Sequence, residues 1–435
     1  MRARLERYFQ FDALGANWRT EVLAGATTFV TMAYIIFVNP SILREAGMPV
    51  AAVTAATCLA SAIGCFLMGG LARYPIALAP GMGLNAYFTY TVCLGMGVHW
   101  RVALGAVFLS GVIFLILTAV GIRQLILEAI PRELFSAVAV GIGLFIAFIG
   151  FRNAGIIQPH AATIVSLGNL RDPGTLLAVF GLLLIAGLMV WGVRAAMLLG
   201  ILATTLAGAA TGLVRWNPQP YSPAELSSTF LKLDIAGALN LGLLEIVFVF
   251  LFVDLFDNIG TLVAVGTRAG LFDRDGHIPR VNRILTSDAI ASTAGALCGT
   301  STVVSYIESA AGVVAGGRTG VTAIVCGLLF LAALFVAPLL GVIPAQATAP
   351  ALIIVGALML THTEEIEWAR PASAIPAFLT LAAIPLTFSI ANGLAFGFTS
   401  FTLLKVIAGE WRKVSWLVYA LTALFILRFF YLGKG

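Results

Sequence analysis

Charge is what this 435-residue chain has least of: its 25 Lys and Arg and 20 Asp and Glu amount to 10% of the residues, while 60% are hydrophobic. Soluble domains carry about a quarter charged residues, so a water-soluble globule of this size is excluded and the lipid bilayer is the expected solvent. The five cysteines (Cys58, Cys65, Cys93, Cys298, Cys326) all fall in apolar segments without CxxC spacing, which argues against a disulfide framework and against a zinc or other metal site. The four histidines (His99, His160, His277, His362) sit in expected loops or near span ends, so a histidine proton relay is not expected. The net charge of +5 is scattered through short loops, the pattern of topology signals rather than of a nucleic-acid surface.

At about 20 residues per span, the apolar segments read as an all-α polytopic membrane protein. A first set of seven spans is expected at 22–38, 51–70, 75–94, 101–121, 133–151, 174–192 and 195–213, and a second at 239–267, 282–298, 299–317, 319–341, 346–361, 374–389 and 391–408. Residues 415–432 read as an interfacial helix rather than a fifteenth span. Residues 1–20 are basic, aromatic and polar with no apolar core, so no cleavable signal is expected and the N-terminus is placed in the cytoplasm. That orientation puts 17 Lys and Arg inside and six outside, with the densest cluster (Arg268, Arg274, Arg280, Arg283) between spans 8 and 9. Seven spans per half, with weak similarity between the halves, predict an inverted repeat.

The third span of each half is a poor helix. YPIALAPGMGLNAYFTY (74–90) carries two prolines and two glycines, and GTSTVVSYIESAAGVVAGG (299–317) opens on β-branched and hydroxyl residues. Short extended segments that turn into half-helices, starting near Gly83 and Ser305, are expected there, and paired breaks of this kind point to a binding site at mid-membrane.

Three carboxyls lie deep in apolar segments. Asp254 and Asp257 share one face of span 8 with Asn258 and Thr261, and no Lys or Arg occurs between Lys232 and Arg268. Glu308 follows the extended start of span 10, and Asn85 lies in the broken span 3. An intramembrane carboxyl without a cation on its helix is a functional site by default and a natural proton carrier. Glu245 and Asp288 lie closer to span ends and read as solvated or paired, and Asp273-Arg274-Asp275-Gly276 reads as a cytoplasmic turn. Paired aspartates also occur in intramembrane proteases, but Asp254 and Asp257 share one helix, so an enzyme is the weaker reading.

FQFDALGANWRTEVLAGATTFVTMAYIIFVNP (9–40), APGMGLNAYFTY (79–90), FVDLFDNIGTLVAVG (252–266) and GTSTVVSYIESAAGV (299–313) together resemble the AzgA-like adenine/guanine/hypoxanthine permeases of the nucleobase/ascorbate transporter superfamily, across essentially the whole chain. The resemblance implies fourteen transmembrane segments in two inverted seven-span repeats, with core regions 1–121 and 239–343 and gate regions 122–238 and 344–435. It implies a proton-coupled importer of purine bases in the plasma or inner membrane, with no cofactor beyond the proton as coupling ion, and a homodimer joined through the gate. Carried over by motif, Asn85, Asp254 and Glu308 bear on substrate binding, and Asp257, with Asp254 and Glu308, on proton coupling. Uracil or xanthine transport, and anion exchange on the same fold, are the rival activities. A purine offers N–H donors to carboxylates and ring acceptors to an amide, and Tyr87, Phe88 or Phe256 could stack on it.

Overall fold

The computed structural model describes residues 2–121, 130–214, 223–240, 244–269, 278–336 and 343–431. Arg274, the Asp273–Gly276 turn and His277 lie outside the described residues, as do the side chains of Arg268 and Arg428.

The architecture is helical throughout, as expected for apolar segments that must satisfy their own backbone in lipid. Seven described helices are long and apolar enough to cross a membrane, among them Trp18–Glu45, Val50–Ala72, Trp100–Ala119 and Arg132–Asn153, and four shorter apolar helices accompany them. Each expected span has its counterpart. Spans 1 and 2 are the two segments just given from Trp18 to Ala72, and spans 4 and 5 the next two. Spans 6 and 7 are Pro173–Val190 and Ala196–Ala210. Spans 8 and 9 are Leu244–Ala269 and Val281–Cys298. Spans 11 to 14 are Gly320–Val336, Ala345–Glu365, Pro371–Thr387 and Ile390–Ile407.

Spans 3 and 10 are the broken ones. Span 3 is strand β1 (Leu78–Pro80) followed by helix Met82–Ala86 and a wider π-helical stretch, Tyr87–Gly95. Outside the spans, β2 (Ile157–His160) and β3 (Ile164–Leu167) form a hairpin between spans 5 and 6. Span 10 is β4 (Val303–Ser305) followed by helix Ser309–Val314. That helix begins four residues beyond the expected Ser305, because Ser305 is held in an antiparallel ladder opposite Leu78.

Packing separates the spans into two groups. Spans 9 and 11 pack on spans 1, 2 and 4, and span 8 on span 4, while span 12 packs on spans 5 and 6, and span 13 on spans 5 and 14. The last helix, Trp416–Tyr431, runs antiparallel to span 14: Thr402 bonds to Thr422 at 2.7 Å, and the Phe398 and Phe425 rings lie 5.6 Å apart. Its buried face meets span 14 through these contacts.

Span 1 is interrupted at Ala33-Tyr34, between helices Trp18–Met32 and Ile35–Glu45. Tight bonds from Ile36 N to Ala33 O and from Phe37 N to Tyr34 O, both 3.1 Å, replace the helical pattern one turn before Pro40. At the start of the same span, Glu21 is fully buried. Its carboxylate accepts the backbone N–H groups of Arg318 (2.9 Å), Thr319 (3.1 Å) and Thr322 (3.2 Å) and the Thr322 hydroxyl (2.6 Å). One acid thus satisfies the orphan donors that open span 11, where the helix dipole also favours a negative charge. In sequence Glu21 belongs to the polar lead-in to span 1, and nothing local signals this long-range cap.

Glu21→Ala should strand three backbone donors in the interior and destabilise the protein by roughly 2–4 kcal/mol. The thermal midpoint of the detergent-solubilised protein checks this, with Glu21→Gln expected to fall between the two.

Candidate functional site

Backbone at membrane depth cannot be left without partners, and the two broken spans resolve this by crossing. Leu78, Ala79 and Pro80 pair with Ser305, Val304 and Val303. Beyond the strands, Gly81 N bonds Thr302 O at 2.9 Å, Tyr306 N bonds Ala77 O at 3.0 Å, and the Ser309 hydroxyl accepts Ala77 N at 2.9 Å. The Tyr306 hydroxyl donates to the Pro80 carbonyl, locking the turn that carries Glu308 onto the turn that carries Gly81.

Against this crossing lies an open cavity with an empty volume of about 910 Å³, open space at its mouth included. Tyr34, Gly81, Asp257, Thr261 and Glu308 line one wall, and Ile142, Met359 and His362 of spans 5 and 12 face them. Phe256 lines the cavity too, packed edge-on against Phe135 of span 5 at 4.4 Å. The wall is open around Ile307 and Leu358, each 46% exposed.

The polar stripe of span 8 divides between two environments, as 100° per residue requires. Asp257, Gly260 and Thr261 face the cavity. Asp254 and Asn258 are fully buried and are not among the lining residues. Asn258 Nδ2 donates to Asp254 Oδ1 and its Oδ1 accepts the backbone N–H of Ser305, both at 3.4 Å, so Asp254 reaches β4 through one intermediary.

Asn85 is also fully buried away from the cavity lining. Its amide oxygen accepts the Ser301 hydroxyl, tying span 3 to the residues before β4. Asn39 serves the same region from span 1, donating to Thr57 at 2.7 Å and to Thr300 at 2.8 Å. Of the four expected site residues, Asp257 and Glu308 therefore share the cavity, while Asn85 and Asp254 lie behind it and bind its framework. Tyr87 and Phe88 pack away from it against Phe250, which leaves Phe256 as the lining aromatic among the three expected to stack.

Two residues that sequence reasoning discounts belong to this region. Asp288, expected to be solvated or paired, is fully buried, because the helix from Val281 to Cys298 packs between spans 2 and 4. His362, expected near a span end, is brought to the cavity wall by a 3₁₀ extension of span 12 over Leu360–Glu365. Tyr34 is a site residue that sequence reasoning misses: its hydroxyl donates to Glu308 Oε1 at 2.6 Å. The available signal is a lone polar-tipped ring in the middle of an apolar span.

No Lys or Arg stands among the described residues lining the cavity, and two carboxyls do. At low dielectric such a wall repels anions and receives neutral N–H donors or cations.

Transport proteins share this chain path. The chain superposes on the transmembrane domain of a cyanobacterial bicarbonate transporter, BicA, with a TM-score of 0.63, covering 88% of this chain and 97% of that one at 14% identity. Apolar helices and this shared fold define a polytopic integral membrane protein. More particularly, the model described as Xan_ur_permease, Permease family, matches residues 19–396, and the chain belongs to that family. It is 46% identical over 440 residues to the guanine/hypoxanthine permease PbuG of Bacillus subtilis, covering 98% of this chain and 100% of that one. It is 44% identical over 424 residues to the adenine permease AdeP of Escherichia coli, covering 98% and 95%. The protein is accordingly a permease and not an enzyme.

A methyl group on Gly81 would meet Val304 Cγ2 at 2.8 Å and Asp257 Oδ2 at 3.2 Å. Gly81→Ala should cut transport about tenfold or more while the protein still reaches the membrane, since overpacking here costs about 1–3 kcal/mol. Adding Val304→Ala should restore part of the rate, as measured by uptake in cells matched for surface expression.

Proposed function

We propose that the protein imports purine nucleobases (adenine, guanine and hypoxanthine) together with protons, by alternating access between a core of spans 1–4 and 8–11 and a gate of spans 5–7 and 12–14. The observation that carries this reading is the cavity itself: Asp257 and Glu308 in an otherwise largely apolar, cation-free lining beside the crossing of spans 3 and 10. A planar base suits it, because ring N–H groups can donate to the carboxylates while Phe256 and Met82 offer apolar contact. The names of the relatives, guanine/hypoxanthine and adenine permeases, agree.

In this reading Glu308 meets the base and Asp257 takes up and releases the proton. Asn85 and Asp254 act from behind, through Ser301 and Asn258, by holding the two extended segments at the distance the base requires. The halves are inverted repeats, the N-terminus is cytoplasmic, the membrane is the plasma or inner membrane, and the protein works as a homodimer. The printed name of the family favours xanthine or uracil as the second reading.

Uptake of labelled adenine, guanine, hypoxanthine, xanthine and uracil at two pH values separates these readings. Purines should compete with one another, uracil should not, and a protonophore should abolish accumulation; dependence on sodium instead would sink proton coupling. Glu308→Gln should weaken purine affinity about tenfold to a hundredfold, as loss of a charge-assisted bond does. Unchanged affinity for every base would remove Glu308 from the site.

Alternating access also needs one end closed. At the end where spans 1 and 5 finish, Arg152 Nη2 meets Glu45 Oε2 at 2.7 Å, Tyr90 and Asn153 donate to Glu45 Oε1 at 3.0 and 3.2 Å, and the Arg152 guanidinium lies 5.0 Å from the Tyr90 ring centre. Ser41–Thr348 (3.1 Å) and Thr91–Phe388 (2.6 Å) join the same two groups nearby. This cluster is the outer gate in its shut form. An exposed pair contributes up to about 1 kcal/mol, so Glu45→Gln should raise the outward-open population by up to about fivefold. Alkylation of a cysteine introduced at Ile146 from the outside should speed up by that factor; no change would refute the gate.

A further inference from the structure

We infer that Tyr34 is a positioning residue for transport, fixing the Glu308 carboxylate in the orientation that receives the substrate. This rests on the reading of Glu308 as the group that meets the base.

Glu308 stands on the short turn between β4 and helix Ser309–Val314, and its flexible side chain needs a partner if it is to hold one direction. Among the described residues, Tyr34 makes the one side-chain hydrogen bond to it, at 2.6 Å, within the range of short O–H···O⁻ bonds. The two residues are 274 positions apart, so the bond fastens span 1 to span 10. Tyr34 is itself immobile. Its ring is fully buried and its backbone forms the interruption of span 1 between Met32 and Ile35.

The tightened turn over Ala33–Phe37 carries Tyr34, whose side chain lines the cavity. The bond occupies Glu308 Oε1 and satisfies a carboxylate that faces an apolar cavity. The second carboxylate oxygen is then the acceptor offered to a ligand N–H. The turn itself is pinned by the Tyr306 hydroxyl on Pro80 O, so its backbone is fixed while Tyr34 fixes the carboxylate.

The test is a double-mutant cycle on the full-length protein, reading equilibrium binding of labelled adenine and hypoxanthine and the KM and maximal rate of uptake. Tyr34→Phe keeps the ring and removes the hydroxyl. Alone it should weaken affinity about tenfold, raising KM more than it lowers the maximal rate. In the Glu308→Gln background it should change affinity less than about twofold. An equal loss in both backgrounds means that Tyr34 acts by packing, and overturns the inference. If Glu308→Gln weakens binding while Tyr34→Phe leaves it intact, this inference alone fails. If Glu308→Gln binds every base as the parent does, the placement of the base against Glu308 fails and takes this inference with it. Should Tyr34→Phe not fold, recovery of folded protein in the Glu308→Ala background supports the bond, because the acceptor that needs a donor is then gone; failure in both overturns it.

Discussion

The antiparallel pairing of Leu78–Pro80 with Val303–Ser305 is the constraint on which the rest of the structure depends. Two spans open on extended rather than helical backbone, and each exposes groups that lipid cannot satisfy. A single crossing answers both deficits. It also fixes the geometry around it: Gly81 must be small to pass under Val304 and beside Asp257, and the Glu308 turn must follow at once. Most of the buried polar residues nearby serve this crossing. Asn39 and Asn85 bind Thr300 and Ser301 just ahead of β4, Asn258 binds its last residue, and Ser309 caps the approach of Ala77.

The same chain path is found in a bicarbonate transporter at 14% identity. The fold is thus shared by chains of very different sequence and does not by itself fix what the side chains around the crossing admit. Here those side chains are carboxyls with no cation beside them in the described lining, which inverts the preference expected of an anion carrier.

The parts of this arrangement that are legible in the sequence share one property: they break a local rule. Prolines and glycines in span 3, hydroxyls in span 10 and carboxyls in apolar runs each stand out within a window of about twenty residues. Asp257 and Glu308 are legible for that reason. What cannot be read depends on partners far away in sequence. Glu21 looks like an ordinary lead-in acid until span 11 is docked on it, and Tyr34 looks like core packing until span 10 supplies its acceptor. The division of the span 8 stripe is an intermediate case. Helical geometry already separates Asp254 from Asp257 by about 60° around the axis, but which side faces the cavity is set by where β4 lies.

The proposed alternating access would combine contacts that never break with contacts that break every cycle, and the charged pairs of this chain fall into two such kinds by burial and by the spans they join. Glu21 is fully buried and joins span 1 to span 11 within one packing group through four bonds. Removing one partner of such an arrangement leaves a buried charge or donors uncompensated, at a cost of several kcal/mol. Glu45 and Arg152 join the two groups instead, and their side chains are 32% and 38% exposed. When that pair separates, water can reach both ends of it, so opening costs about 1 kcal/mol or less. The Tyr34–Glu308 bond belongs with the first kind by location, since both partners lie in the group that carries the crossing. On the proposed reading, a carboxylate oriented from within its own group would keep its geometry if the other group moved away, and would offer the same acceptor to the substrate whichever side the cavity opened to.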